Sequence, residues 1–419
     1  MTYVEFYDRT SIENICTCLT KAPDRVVLIG SSIKQINMRI KNYSALFDGR
    51  GIKIEFIPKT ISRYNLKNAV ALLTEIIEKY DDCVFDITGG EEILNVALGI
   101  VYEKYPQKKI QIQKCNVRNN HIYDCDEDGN YVCLDVPNLS IEENIRAYGG
   151  EIIYGGINEE KTYRWDMNPD FLKDIETIWD ICKKDVRYWN TQIGVFEAVD
   201  KVGKVSNDGL TTVTSRGPLE FYLKKHNAKY AESARIIGML LEAGLLTQFD
   251  ADESNITISY KNEQVKKCLT VSGQALEMKI YTIVRNIKED NGELVYNDSI
   301  NGVVIDWDGE FHDEKKENIF DTENEIDVLL MHNILPIFIS CKNGVVTSEE
   351  LFKLNTVAER FGGKYSKKIL IATALKCMKD KGEPIRQRAK DMQIRVIEDI
   401  QDLSDKQLSD ILRNLWKAN

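Results

Sequence analysis

The chain has 419 residues, 43% of them apolar and 29% charged, which is the balance of a soluble globular protein. That is too long for one compact core, so two or three domains are expected. No apolar run reaches the ~18–20 residues of a membrane span, the first residues lack the pattern of a signal peptide, and a net charge of −11 excludes a molecule that is basic throughout.

In the N-terminal third, Val26–Ile29 reads as a buried strand that enters a Gly30-Ser31-Ser32 turn. A helix with apolar Ile36, Met38 and Ile40 follows, then a strand at Ile52–Ile57. The next helix, Leu66–Tyr80, turns Leu66, Val70, Leu73, Ile76 and Ile77 inward. A strand at Cys83–Ile87 ends in Thr88-Gly89-Gly90-Glu91, a helix runs from Glu92 to Tyr105, and a further strand begins at Lys109. Strand–helix alternation predicts a parallel sheet with helices on both faces. In such sheets ligands sit beyond the carboxyl ends of the strands. Gly30, Ser31 and Ser32 lie on that edge, as do Thr88, Gly89, Gly90 and Glu91, and each turn leads into a helix N-terminus that favours anions. Thr60, Ser62 and Arg63 fall on the same edge. The sequence has neither G-x-G-x-x-G nor G-x-x-x-x-G-K-[ST], which argues against dinucleotide coenzymes and a Walker-type triphosphate site. The acid-rich stretch around Asp124–Asn130 lacks the spacing of a calcium loop and reads as a β-hairpin turning at Asp128-Gly129-Asn130.

Residues 151–265 read as a connector. Pro137 and the glycines of Gly149–Gly156 break the earlier pattern, and Asn168-Pro169 precedes a helix over Asp170–Cys182. A helix at Ala231–Ala243, with Ala234, Ile237, Leu240 and Leu241 inward, is followed by Gly244-Leu245-Leu246 and two strands, the second at Asn255–Tyr260. That order suggests a winged-helix-like unit, although no arginine-rich recognition helix accompanies it.

Residues 266–419 carry the chemistry. A helix capped by Ser272 shows an apolar stripe through Leu276, Ile280, Ile283 and Ile287, with Glu277 beside it. After a strand at Val303–Ile305 comes Asn324–Lys342, two strands joined by a tight turn. Residues two apart share a face, so Glu325 pairs with Asp327, Ser340 pairs with Lys342, and a hairpin brings both pairs to one spot. Carboxylates hold Mg²⁺ or Mn²⁺ and a nearby lysine neutralises phosphate charge, which suits divalent-metal phosphodiester hydrolysis. A helix at Glu349–Phe361, bearing Lys353, a strand at Lys368–Thr373, a helix and a strand at Ile394–Glu398 complete the order. Charge is divided sharply: Asp306–Asp327 holds ten acids and two lysines, and Lys353–Arg395 holds twelve basic residues against four acids, which suits a local nucleic-acid track. The ten cysteines and four histidines have no zinc-site spacing, so reduced thiols of a cytoplasmic protein are expected.

Two resemblances follow from these motifs. Gly30-Ser31-Ser32 and the Asp86-Ile87-Thr88-Gly89-Gly90 strand end make residues 1–150 resemble a CARF domain, a Rossmann-like sensor. Glu277, Asp327 and Lys342, in this order of helix and strands, resemble the PD-(D/E)xK nuclease core. One position departs from that pattern: Ser340 stands where the second acid is expected, which puts the metal shell in doubt. Together the parts resemble the ancillary CARF–nuclease effectors of type III CRISPR systems, the Can/Card kind. The resemblance implies an α/β chain with a CARF domain, a winged-helix-like connector and a restriction-endonuclease-like domain. It also implies a homodimer that binds cyclic tetra-adenylate between its sensors and, with Mg²⁺ or Mn²⁺, nicks DNA, with RNA as a further substrate. Glu277 and Asp327 would hold metal, with Glu325 as helper. Two other readings remain open at this point: a ligand-sensing transcription regulator with a degenerate nuclease domain, and a sensor that hydrolyses its own cyclic oligoadenylate.

Overall fold

A computed structural model describes residues 1–125, 131–310, 322–373, 375 and 382–417. The chain opens with β1 (Thr2–Phe6), α1 (Ile12–Lys21), β2 (Arg25–Gly30), α2 (Ile33–Gly49), β3 (Glu55–Thr60), α3 (Leu66–Lys79), β4 (Cys83–Asp86), α4 (Glu92–Lys104), β5 (Gln111–Asn116), β6 (His121–Cys125) and β7 (Tyr131–Asp135). These strands form one sheet in the order β3-β2-β1-β4-β5-β6-β7. The first five are parallel, and β5, β6 and β7 are antiparallel. The order in which strands are added reverses between β1 and β4, and there the loops after the two strands splay apart and open a crevice.

The expected α/β fold is present, but β1, the middle of its five parallel strands, was not anticipated. All five of its residues are buried, so no polar–apolar alternation marks it. It also carries Glu5, 1% exposed, at a position where a core strand normally has an apolar residue. Of the apolar residues noted on α2, Ile36 is buried and Met38 is exposed. The proposed Asp128-Gly129-Asn130 turn lies outside the described residues.

Next come α5 (Ile141–Ala147), β8 (Glu151–Ile152), α6 (Pro169–Cys182), α7 (Val186–Val202), β9 (Lys204–Val205), β10 (Thr211–Ser215), α8 (Arg216–Lys225), α9 (Ala234–Glu242), β11 (Leu246–Ala251) and β12 (Asn255–Tyr260). Asn168 caps α6, accepting from the Phe171 N–H at 3.0 Å, with Pro169 at its start. The small sheet runs β11-β12-β10-β9, antiparallel throughout. Two helices followed by a hairpin whose second strand pairs with β10 give the winged-helix arrangement. Leu241, expected inward on α9, is exposed.

The last part comprises α10 (Glu263–Thr270), α11 (Gln274–Val284), β13 (Asp298–Asp306), β14 (Glu323–His332), β15 (Leu335–Lys342), α12 (Ser348–Gly362), β16 (Lys367–Ala372), α13 (Gly382–Asp391), β17 (Ile394–Glu398) and α14 (Asp405–Leu412). Its sheet runs β17-β16-β15-β14-β13-β8, parallel from β15 to β17 and antiparallel on the other side. Gly273, not Ser272, caps α11: its φ of +88° suits glycine, and no side chain caps the helix. β8, just past residue 150, pairs with β13, tying the end of the N-terminal part into the C-terminal sheet.

The apolar cores disregard the three-part division. One cluster joins α1, α2 and α5 to β13, β14 and α12, through Tyr43, Ile145, Tyr148, Leu329 and Phe361 among others. A second joins the connector to α11 and the other face of the C-terminal sheet, through Trp179, Phe196, Leu276 and Ile339 among others. A third lies under α3 and α4.

Candidate active site and ligand cleft

The carboxylates and the lysine meet where α11, β14 and β15 converge. The pairing Leu329↔Phe338 sets the hairpin register, and alternation then puts Asp327 and Ser340 on one face. Ser340 Oγ donates to Asp327 Oδ2 at 3.2 Å and the Cys341 N–H donates to the same oxygen at 2.6 Å. Lys342 Nζ lies 3.5 Å from that oxygen and 3.0 Å from Glu350 Oε2, in the first turn of α12. Three donors on one oxygen fix the carboxylate's orientation. Burial would lower the Lys342 pKa, but Asp327 and Glu350 outweigh it and hold it well above the usual lysine range, so the side chain stays an ammonium.

Glu277 projects from the first turn of α11 and is 9% exposed. Burial, then the charges of Asp327 and Glu325, push its carboxyl well above the ordinary value, with Lys342 opposing. Gln274 Nε2 donates to Glu277 Oε2 at 3.3 Å and to Asn301 Oδ1 at 3.2 Å, and Asn301 Nδ2 donates to the Asp327 carbonyl at 2.9 Å. Glu325 is exposed at the rim, yet desolvation along the cleft wall, then Asp327, raise its carboxyl against Lys353, Lys342 and Lys267. All five residues expected here, Glu277, Glu325, Asp327, Ser340 and Lys342, therefore fall in one electrostatic neighbourhood. Gln274, Asn301 and Glu350 were missed. In sequence, Glu350 looks like an ordinary acid at a helix start, and the two amides carry no signal before β13 is folded against α11.

An open cleft of about 630 Å³ leads to this site between the connector and α10, with Asp200, Lys201, Lys266, Lys267, Gln274 and Glu325 among its lining residues. Lys267 Nζ donates to the Ile157 carbonyl at 2.7 Å, and burial lowers its pKa while Glu325 and Glu277 oppose the shift.

The donor set fits a hard divalent cation. Its ligands are carboxylate oxygens, and the mutual repulsion that raises Glu277 and Glu325 is what a cation relieves. Among the described residues no group of three or more His, Cys, Asp and Glu encloses a metal by itself. Mg²⁺ needs no such cage, since it commonly takes one or two carboxylates and keeps several waters.

The second feature is a cleft of about 490 Å³ over the carboxyl ends of β1, β2 and β4, at the point where the strand order reverses. Arg63, Gly90 and Glu91 line it, together with Tyr7, Asp8, Arg9, Gln35, Glu92 and Ile93. Tyr7, Asp8 and Arg9 follow the unanticipated β1, which is why the sequence did not reveal them. Arg63 Nε donates to Ser31 Oγ and pairs with Glu91 Oε1, both at 2.8 Å, and Ser31 Oγ lies 3.3 Å from Glu91 Oε1. Ser32 caps α2 through the Gln35 N–H, and Ser62 donates its N–H to Asn68. Gly30 and Thr60 face each other at the ends of β2 and β3. Thr88 turns its hydroxyl to β5, accepting from the Cys115 N–H at 2.7 Å. Gly89 and Gly90 permit close approach to the β1 end: a Cβ on Gly90, at φ +95°, would lie 2.2 Å from Phe6 Cβ.

Below the cleft sit buried acids. Glu5 and Asp86 are partners across β1 and β4. Glu5 is raised by burial, then by Asp86, and Asp86 is pushed by burial up to about 6.

The fold is that of an α/β protein, with a Rossmann-like sheet and a restriction-endonuclease-like sheet packed together and a winged helix between them in sequence. Over its whole length the chain resembles the protein VC1899 from Vibrio cholerae, with a TM-score of 0.72, 15% identity, and 98% of that chain covered. It likewise resembles Can2 from Sulfobacillus thermosulfidooxidans, solved in complex with cyclic tetra-adenylate, with a TM-score of 0.66, 16% identity, and 98% of that chain covered. No protein-family model matches the sequence, and no curated protein matches it.

Proposed function

We propose that this protein is a metal-dependent endonuclease of type III CRISPR antiviral defence, switched on by a cyclic oligoadenylate, with cyclic tetra-adenylate as the activator. One observation carries the reading: Glu277, Asp327 and Lys342 converge on one end of a restriction-endonuclease-like sheet, in a chain that follows the fold of a cyclic tetra-adenylate-bound Can2 from end to end.

In this reading Glu277 and Asp327 hold Mg²⁺ or Mn²⁺, with Glu325 as a neighbouring acid. The bound cation supplies an activated water and neutralises charge on the scissile phosphate. Lys342 donates to a phosphate oxygen, and its raised pKa keeps that proton in place. Ser340 acts as a donor to Asp327 rather than as a ligand, so the site works with two acids in place of three. Lys201 and Lys267, on the cleft wall, attract the backbone of the strand entering the cleft. DNA is nicked, and RNA is a further substrate.

At the sensor, Arg9 and Arg63 meet phosphates, and Tyr7 offers a stacking face for adenine. A cyclic tetra-adenylate has two-fold symmetry, so two chains facing each other across it form the proposed homodimer. The described residues include no helix long and apolar enough to cross a membrane.

The test is one incubation matrix. Plasmid, single-stranded DNA and RNA are each mixed with Mg²⁺ or Mn²⁺, with and without cyclic tri-, tetra- and hexa-adenylate. The expected result is metal-dependent nicking that appears with cyclic tetra-adenylate. Duplex binding without cleavage points instead to the regulator, and linear product from the activator points to a self-limiting sensor.

A further inference from the structure

Helix α12 has a site at each end. In its first turn Glu350 pairs with Lys342 at 3.0 Å, competing with Asp327 at 3.5 Å for the same ammonium. Thirteen residues later, about 20 Å away at 1.5 Å per residue, the helix runs into a turn at Gly363–Tyr365. That turn reaches the underside of the sensor cleft. Lys364 Nζ lies 2.9 Å from Glu13 Oε2, and Tyr365 Oη donates to Glu13 Oε1 at 2.6 Å. Gly363 lies where a Cβ would meet the Thr10 side chain at 2.9 Å.

Glu13 is 1% exposed and touches the cleft loops from below. A Cβ on Gly89 would stand 2.8 Å from Asp8 Cβ and 3.2 Å from Glu13 Oε2. Asp8 lines the cleft, and its Oδ2 accepts the Gly90 N–H at 3.3 Å. A ligand that moves Asp8 or the Gly89–Gly90 step therefore displaces what packs on Glu13, and Glu13 holds the turn through one hydrogen bond and one ion pair.

Nothing along α12 is built to absorb such a movement. It has no proline and no glycine before Gly362, and Leu351, Leu354, Val357, Ala358 and Phe361 are buried along one side. Its far end is gripped by backbone carbonyls: Arg360 donates to those of Tyr148 and Trp307, at 2.6 and 2.9 Å, and Asn144 donates to that of Phe361 at 2.7 Å. A packed helix shifts as a body between discrete arrangements rather than bending.

We propose that the Gly363–Tyr365 turn couples occupancy of the sensor cleft to Lys342, with α12 as the strut and Glu350 as the positioning residue at its active-site end. This rests on the function proposed above. Without ligand, Lys342 is divided between Asp327 and Glu350. With ligand, movement of Glu13 shifts the strut, Glu350 draws back, and the ammonium is free to meet a phosphate. The ligand exerts this effect by binding the shifted arrangement more tightly.

The experiment compares the full-length wild type with the K364A/Y365F double variant, and with Y365F alone, which removes a single hydroxyl. Hydrogen exchange is followed by mass spectrometry with and without cyclic tetra-adenylate, alongside calorimetric binding and plasmid nicking. In the wild type, ligand changes exchange in 7–10, 88–92 and 348–355. In the double variant the change in 7–10 and 88–92 persists, the affinity stays within about threefold, basal nicking is unchanged, and the response in 348–355 and at least about tenfold of the stimulation are lost. Y365F falls between the two. A double variant that keeps the 348–355 response and full stimulation overturns the coupling and leaves the proposed function intact. A wild type that neither binds nor responds removes the proposed function and the coupling with it.

Discussion

At the scale of single residues, the candidate active site depends on how one oxygen of Asp327 is shared. Ser340, the Cys341 N–H and Lys342 all converge on it. Removing the hydroxyl leaves two donors, so Ser340→Ala should lower nicking only about three- to tenfold, the worth of one modest hydrogen bond. Lys342→Ala removes the positive charge at the phosphate and should cost about 100-fold or more in kcat. Asp327→Asn should also cost at least about 100-fold, and should weaken Mn²⁺ binding measured by titration as well. Equal losses for Ser340→Ala and Lys342→Ala would reject the division of roles.

The buried acids under the sensor make a separate prediction. Glu5 and Asp86 have folded-state pKa values raised above those of an unfolded chain, Asp86 to about 6. A raised folded value means that the native state holds the proton more tightly. Their contribution to stability is thus full below about pH 4 and is lost as pH rises through 6 and beyond. Glu5→Gln keeps the shape without the titration. Its melting temperature relative to wild type should rise between pH 5 and pH 8, and a difference that does not change with pH would refute the assignment.

At the scale of elements, the loop between β4 and α4 is set by steric fit before it is set by any ligand. Gly90 has φ +95° and lies against Phe6, so Gly90→Ala strains the backbone and forces β1 and β4 apart. A loss of about 2–4 kcal/mol is expected from chemical denaturation, together with loss of cyclic tetra-adenylate binding. The same loop read from sequence suggests a phosphate cradle, and the glycines serve close packing first. The hairpin β14–β15 is the opposite case. Its alternation was legible, its register follows from that alternation, and Asp327, Ser340 and Lys342 meet as the pattern requires.

At the scale of the whole molecule, the division into 1–150, 151–265 and 266–419 remains a proposal about function more than about folding. One apolar cluster contains Ile145 and Tyr148 from the N-terminal part and Leu329 and Phe361 from the C-terminal part. Residues 1–150 expressed alone would expose half of that cluster, and should be poorly soluble or loosely packed by near-ultraviolet circular dichroism. The full chain should lose sensor and nuclease structure in one thermal transition. Phe361→Ala should lower that transition by the equivalent of about 3–5 kcal/mol and should affect both parts. Two separate transitions with only one affected would show that the halves are independent.

The sequence by itself determined the α/β alternation, the acid-x-acid hairpin, the lysine that faces it, Glu277 on the preceding helix and Arg63 and Glu91 at the sensor edge. These are local patterns: period two, helical stripes and turn chemistry are written in neighbouring residues. Tertiary structure alone decided that β1 is the middle of the five parallel strands, because a strand buried on both faces has no alternation and here carries a glutamate. It decided that Tyr7, Asp8 and Arg9 line the cleft, because they follow that strand. It also decided that Lys342 is shared with Glu350 and that Glu13 meets Tyr365, pairs 8 and 352 positions apart. Contacts of that kind arise from packing between elements: the first joins the end of a strand to the start of the next helix, and the second spans almost the whole chain.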